Sequence, residues 1–159
     1  MMSKIAIFPG SFDPFTVGHE SIVLRAINLF DKIIIGIGSN VGKTTLFSVE
    51  QRFEMLKELF SENHKIEIMC YDGLTINFCK RVDARYILRG LRSSSDFEFE
   101  KIIAQVNREM SPEVETVFMP TLPEHTAISS SIVREILHHG GDVSKFVPKG
   151  INFQKFIKN

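Results

Sequence analysis

The chain is 159 residues long, the size of one domain, with 43% hydrophobic and 24% charged residues. Lys plus Arg and Asp plus Glu both number 19, a formal net charge of zero, which argues against a long nucleic-acid track and an acidic disordered tail. No apolar run approaches the ~18–20 residues that span a bilayer. The N-terminus lacks a basic segment, a long apolar stretch and a small-residue cleavage site. Cys70 and Cys79 make neither a disulfide framework nor a zinc pair. The expectation is one cytoplasmic domain over residues 1–159, with both thiols reduced in its core, no membrane segment and no nucleic-acid partner.

Short apolar runs occur at residues 4–8 (KIAIF), 33–37 (IIIGI), 66–69, 86–88 and 114–119. Each is β-branched or aromatic and bounded by turn residues or charges, the pattern of buried strands. Helical stripes lie between them. Val23, Ala26, Ile27 and Phe30 form the first. Val49, Phe53, Leu56 and Phe60 form the second, with Ser48 and Gln51 as a capping box. A shorter helix is predicted over 74–81. Phe99, Ile102, Ile103, Val106 and Met110 form the next stripe. Ile132, Val133, Ile136 and Leu137 form the last, with serines 129–131 available as caps. Pro148 is placed at the first turn of one further helix.

Strand and helix therefore alternate. Near-continuous apolar strands predict a five-stranded parallel sheet with helices on both faces, a doubly wound Rossmann-like α/β fold. Such folds bind ligands beyond the carboxyl ends of the strands, where strand order reverses. Chemistry is expected in the loops at 9–18, 38–47, 72–75, 89–95 and 120–131.

The first loop, Gly10-Ser11-Phe12-Asp13-Pro14-Phe15-Thr16-Val17-Gly18-His19, is not the dinucleotide fingerprint. It carries glycine near both ends and a histidine where a helix begins, which suits an anion site; the plainer reading is that His19 caps the helix. Residues 38–45 imitate a phosphate loop, but Ile37 stands where its first glycine belongs. Lys43 remains a cation facing the expected site. Lys80, Arg81, Arg85, Arg89 and Arg92 crowd one stretch against Asp83. The first three read as a solvated face. Arg89 and Arg92, directly after a strand, read as phosphate forks. Ser129, Ser130 and Ser131 open a helix and can both cap it and cradle phosphate. His64, His138 and His139 read as surface residues. No histidine pair or carboxylate cluster suggests a structural metal, and no triad suggests a covalent nucleophile.

Taken together, these residues closely resemble the phosphopantetheine adenylyltransferases of the T/H-x-G-H nucleotidyltransferase superfamily. The superfamily element is Thr16-Val17-Gly18-His19, and Arg89-Gly90-Leu91-Arg92, the helix from Asp96 to Glu100 and Ile128-Ser129-Ser130-Ser131 select the member. The resemblance covers essentially the whole chain. It implies adenylyl transfer from ATP to 4′-phosphopantetheine, with Mg²⁺ carried mainly by the ATP phosphates, by a cytoplasmic homohexamer. His19 would stabilise the transition state, aided by Lys43 and Arg92. ATP would be bound by Ser11, Phe12, His19, Gly90, Leu91, Arg92, Glu100, His125, Thr126, Ala127, Ile128, Ser129, Ser130 and Ser131. Ser11, Lys43, Thr75 and Arg89 would bind the acceptor. The chain departs from the family pattern at Ser11 (commonly Thr), Thr75 (often a larger apolar residue), Phe99 (Tyr) and His125 (an aromatic in some members).

Overall fold

Five apolar runs separated by amphipathic segments leave a parallel sheet few alternatives, and the chain forms one. A computed structural model describes residues 3–39, Gly42 and residues 44–157. The strands are β1 (Ile5–Gly10), β2 (Lys32–Gly38), β3 (Ile66–Tyr71), β4 (Tyr86–Leu91) and β5 (Glu115–Pro120). All pair in parallel, in the order β3-β2-β1-β4-β5, with Phe8 opposite Ile35 and Ile7 opposite Ile87. The order reverses between β1 and β4, so the crevice of a doubly wound sheet opens there.

The helices are α1 (Val17–Ala26), α2 (Val49–Leu59), α3 (Thr75–Arg81), α4 (Ser94–Met110) and α5 (Ser130–His138). Period-two alternation of the strands divides two cores. Ala6, Phe8, Ile33, Ile35 and Leu88 face a larger core with Val23 of α1, Leu56 of α2 and Val133 of α5. Ile7, Ile34 and Ile87 face a smaller one with Ile76, Phe78 and Cys79 of α3. Helices on both faces match the predicted class.

Local caps start three helices where the sequence places them. Ser48 Oγ accepts from Gln51 N at 3.2 Å while Gln51 Oε1 accepts from Ser48 N at 2.9 Å. Ser129 Oγ accepts from Ile132 N at 3.3 Å. Thr16 and His19 form a second capping box on α1.

Two expectations are corrected, and one helix that forms as expected turns its apolar stripe outward. Residues around Pro148 make turns rather than a helix, followed by a 3-10 turn at Phe153–Lys155. Val147, Ile151, Phe153 and Phe156 are all buried, and no single helical face could carry that spacing. Cys79 is buried, but Cys70 is exposed on β3, an edge strand. The apolar stripe of α4 does form a helix, but it faces outward. Phe99 is 65% exposed, Ile102 57%, Val106 52% and Met110 42%, whereas Glu100 of the same helix is buried. Lys80, Arg81, Arg85, His64, His138 and His139 are exposed, as expected.

Candidate active site

Two clefts open at the carboxyl ends of the strands. The first, about 370 Å³, lies between the end of β1 and the starts of α1 and α5. The second, about 240 Å³, lies between the ends of β2 and β3 and helix α4. Pro9, Gly10, Ser11, Arg89 and Glu100 line both, so the clefts share a wall.

The loop after β1 is fixed from four directions. Asp13, buried, accepts from Leu46 N at 2.8 Å and Phe47 N at 2.9 Å. Arg52, also buried, donates to the carbonyls of Ser11 and Phe47. Arg134 Nη1 donates to Asp13 O at 2.8 Å, and Ser130 Oγ donates to Pro14 O at 2.7 Å. Phe12 takes a left-handed φ of 49°, a conformation costing roughly 1–3 kcal/mol that survives only where packing over-determines it. Its ring closes over Gly10, where a Cβ would come within 2.8 Å of Phe12 Cζ. Glycine at position 10 is what admits the ring.

His19 sits on that packed floor, with its ring centroid 5.2 Å from those of Phe12 and Phe15 and 6.1 Å from that of Phe8. Thr16 N donates to His19 Nδ1 at 3.0 Å. Nδ1 is therefore unprotonated, and the neutral ring carries its proton on Nε2. Loss of water around the ring, then the positive charge of Arg92 and Arg89, pull its pKa from 6.5 down to about 4. The plainer sequence reading, that His19 merely caps α1, is half of what the structure contains. One nitrogen caps and leaves the other as a donor.

Arg89, at the carboxyl end of β4, is locked. Its Nε and Nη2 donate to the two carboxylate oxygens of Glu100 at 2.8 and 2.5 Å, and its Nη1 donates to Pro9 O at 2.8 Å. Both oxygens of Glu100 are thus engaged by Arg89. Arg92 is tethered more loosely, its N and Nε donating to Asp96 Oδ2 at 3.1 and 3.2 Å. The N-termini of α1 and α5 also border the first cleft through Gly18, Ser130 and Ser131. Two helix ends and several guanidinium groups give this cleft a chemistry suited to anions.

The first cleft gathers Ser11, Phe12, His19, Arg89, Gly90, Arg92, Glu100, His125, Ile128, Ser129, Ser130 and Ser131. Leu91, Thr126 and Ala127 do not line it. Thr75, Ser11 and Arg89 line the second cleft. Lys43 lies outside the described residues; its neighbours Thr44 and Thr45 line the first cleft. His125 Nδ1 is buried without a hydrogen-bond partner. Among the described residues no group of three or more His, Cys, Asp or Glu side chains could hold a metal ion.

Sequence reading missed Asp13, Arg52, Tyr71, Asn107 and Arg134. One signal was available for Arg52: at i+3 from Val49 and i−4 from Leu56 it falls on the apolar stripe of α2, a position where an arginine must be buried and paired. Asn107 and Tyr71 carry no such mark.

The cytidylyltransferase-like family model matches residues 7–136. Phosphopantetheine adenylyltransferases from Bacteroides thetaiotaomicron and Flavobacterium johnsoniae are each 50% identical to the chain, over 92% and 94% of its length and 96% and 98% of theirs. The chain belongs to the phosphopantetheine adenylyltransferase family. It is therefore a nucleotidyltransferase enzyme. More distant is a solved bifunctional NMN adenylyltransferase/ADP ribose pyrophosphatase from Francisella tularensis, with TM-score 0.69 and 18% identity over 92% of this chain and 45% of that one. A second structure of that protein, complexed with AMP and a manganese ion, gives a TM-score of 0.68 at 19% identity, over 98% of this chain and 46% of that one. These two share the fold of this family member.

Proposed function

We propose that the chain transfers an adenylyl group from ATP to 4′-phosphopantetheine by direct in-line attack, forming dephospho-CoA. An acceptor phosphate oxygen bonds to the α-phosphorus of ATP. The bond from that phosphorus to the bridging oxygen breaks, and its electron pair leaves with pyrophosphate. The observation that carries this reading is the shared wall: Ser11 and Arg89 border both clefts, so ligands in the two clefts abut there. ATP occupies the first cleft and the acceptor the second.

A phosphate oxygen is already a nucleophile, so the reaction needs no general base. It needs two polyanions aligned and charge relieved at the α-phosphate. Alignment contributes about 7–11 kcal/mol in well-oriented systems. A preorganised donor contributes about 2.7–4 kcal/mol when removed singly. In this reading His19 Nε2–H is that donor, neutral throughout the physiological range because its pKa lies at about 4. Arg92, Gly90 and the serines opening α5 hold the ATP phosphates, while Arg89, Ser11 and Lys43 hold the acceptor phosphate. Glu100 acts through Arg89.

The carboxylates lining the first cleft are already engaged: Asp13 on backbone N–H groups, Asp96 on Arg92 and Glu100 on Arg89. That donor set suits a magnesium ion arriving on the ATP phosphates rather than one held in a protein cage. The ion supplies charge neutralisation to the triphosphate. The outward apolar face of α4 supports assembly of several copies, and a homohexamer is the state the family resemblance implies. A charge placed in that face, as in Ile102→Glu, should dissociate the assembly in sedimentation velocity. No helix among the described residues is long and apolar enough to cross a membrane. That and two free thiols support a cytoplasmic location.

A pyrophosphate-release assay tests the reading. Pyrophosphate should form with phosphopantetheine and ATP. Turnover of nicotinamide mononucleotide instead of phosphopantetheine would overturn the acceptor assignment. Binding of both substrates without pyrophosphate release would make the chain a binding module.

A further inference from the structure

Arg52 is the most buried charged side chain among the described residues, 2% exposed, and it stands on the inward stripe of α2. Burying a guanidinium is costly unless its donors are paired. Among the described residues no carboxylate forms an ion pair with it. Its donors go to backbone carbonyls instead. Nε donates to Phe47 O at 3.1 Å and to Ser48 O at 3.3 Å, and Nη1 donates to Ser11 O. An apolar side chain at this position would serve the packing of α2 on the sheet with no charge to bury.

The two ends of this bridge differ. The Phe47 end is an anchor. Phe47 is buried, its ring lies 5.6 Å from that of Phe153, and its N–H donates to Asp13. It closes the segment whose Thr44 and Thr45 border the first cleft. The Ser11 end belongs to the wall that both clefts share, and it precedes Phe12 with its left-handed φ of 49°. Such a backbone keeps its place only where its surroundings hold it. Arg52 itself lines neither cleft. We propose that Arg52 is a positioning residue for adenylyl transfer, clamping Ser11 to the start of α2 from beneath the shared wall and so fixing where the two substrates meet. The inference rests on placing ATP in the first cleft and the acceptor in the second.

Arg52→Met keeps the length of the side chain and removes every donor. Its kcat per ATP-binding site should fall about 10–100-fold, the cost of misaligned reacting groups. Calorimetric titration should still give the wild-type ATP stoichiometry, with a Kd within about threefold. Arg52→Lys has one nitrogen to share between two loops and should fall between the wild type and Arg52→Met. A kcat within about threefold of wild type in Arg52→Met overturns the proposal. So does a loss of turnover matched by an equal loss of ATP sites, which would leave Arg52 a role in stability alone. Should Arg52→Met fail to fold, Arg52→Lys decides by the same two readouts. Failure of the wild type to release pyrophosphate from ATP and phosphopantetheine would sink the reading of the clefts; normal wild-type turnover with unaffected variants sinks only this inference.

Discussion

The two clefts differ in how they are made. The first is assembled largely from contiguous motifs, residues 10–19, 89–92 and 128–131, which fold into loops entering helix N-termini. Its chemistry comes from backbone groups, helix ends and guanidinium forks, which need particular residues at particular spacings. The second draws its wall from all five strands, the start of α3 and one side of α4, most of the residues of ordinary type. Under the proposed assignment, the first cleft holds a triphosphate and is constrained by charge geometry, whereas the second holds a flexible neutral tail and is constrained by shape, which many side chains supply. The two kinds of wall meet at Arg89 and Ser11.

The sharpest way to break this contrast is His19→Ala. Losing the preorganised donor should lower kcat by about 10²–10³-fold, with a smaller change in the KM for ATP. A near-normal kcat in steady-state assays would remove His19 from the mechanism. Next in size is Arg89→Ala, which should raise the acceptor KM about 10–100-fold, the worth of charge-assisted hydrogen bonds, and change the ATP KM little. A loss confined to ATP would move Arg89 to the first cleft.

Glu100 sharpens the comparison because the family resemblance assigns it to ATP, whereas both its oxygens are taken by Arg89. Glu100→Ala should raise the acceptor KM about 3–10-fold. Combined with Arg89→Ala, it should add little further, since the two act as a unit. An effect on the ATP KM alone would return Glu100 to ATP.

The last expectation concerns stability against pH rather than turnover. His19 has a folded pKa of about 4 against 6.5 in its ordinary state. Between those values the unfolded chain binds a proton that the folded site refuses. The contribution is complete above about pH 6.5 and is lost as pH falls toward 4. Chemical-denaturation midpoints should therefore decline through that window, and less steeply in His19→Gln. Identical slopes would show that the site does not hold His19 neutral.

Much of this was legible before any coordinates. The runs at 4–8 and 33–37 announce buried strands because they are apolar on both faces, and Ser48 with Gln51 announces the start of α2. Arg89 and Arg92 were separable from Lys80, Arg81 and Arg85 by position after a strand. The failures share a cause. The α4 stripe was readable as a helix, but periodicity reports that one face is apolar, not what covers it. Cys70 and the segment around Pro148 were misjudged because burial there depends on which strand lies at the edge and on four anchors that share no helical face.

By itself the sequence determined the strand and helix alternation, the family and the loops that border the first cleft, because those follow from local periodicity and from residues close together in the chain. Only the tertiary structure decided the rest. It showed that Glu100 is tied to Arg89, that Arg52 and Arg134 brace the loop carrying Ser11, and that Tyr71 meets Thr75 over a second cleft. Those are pairings between elements, and they exist only once strand order brings the elements together.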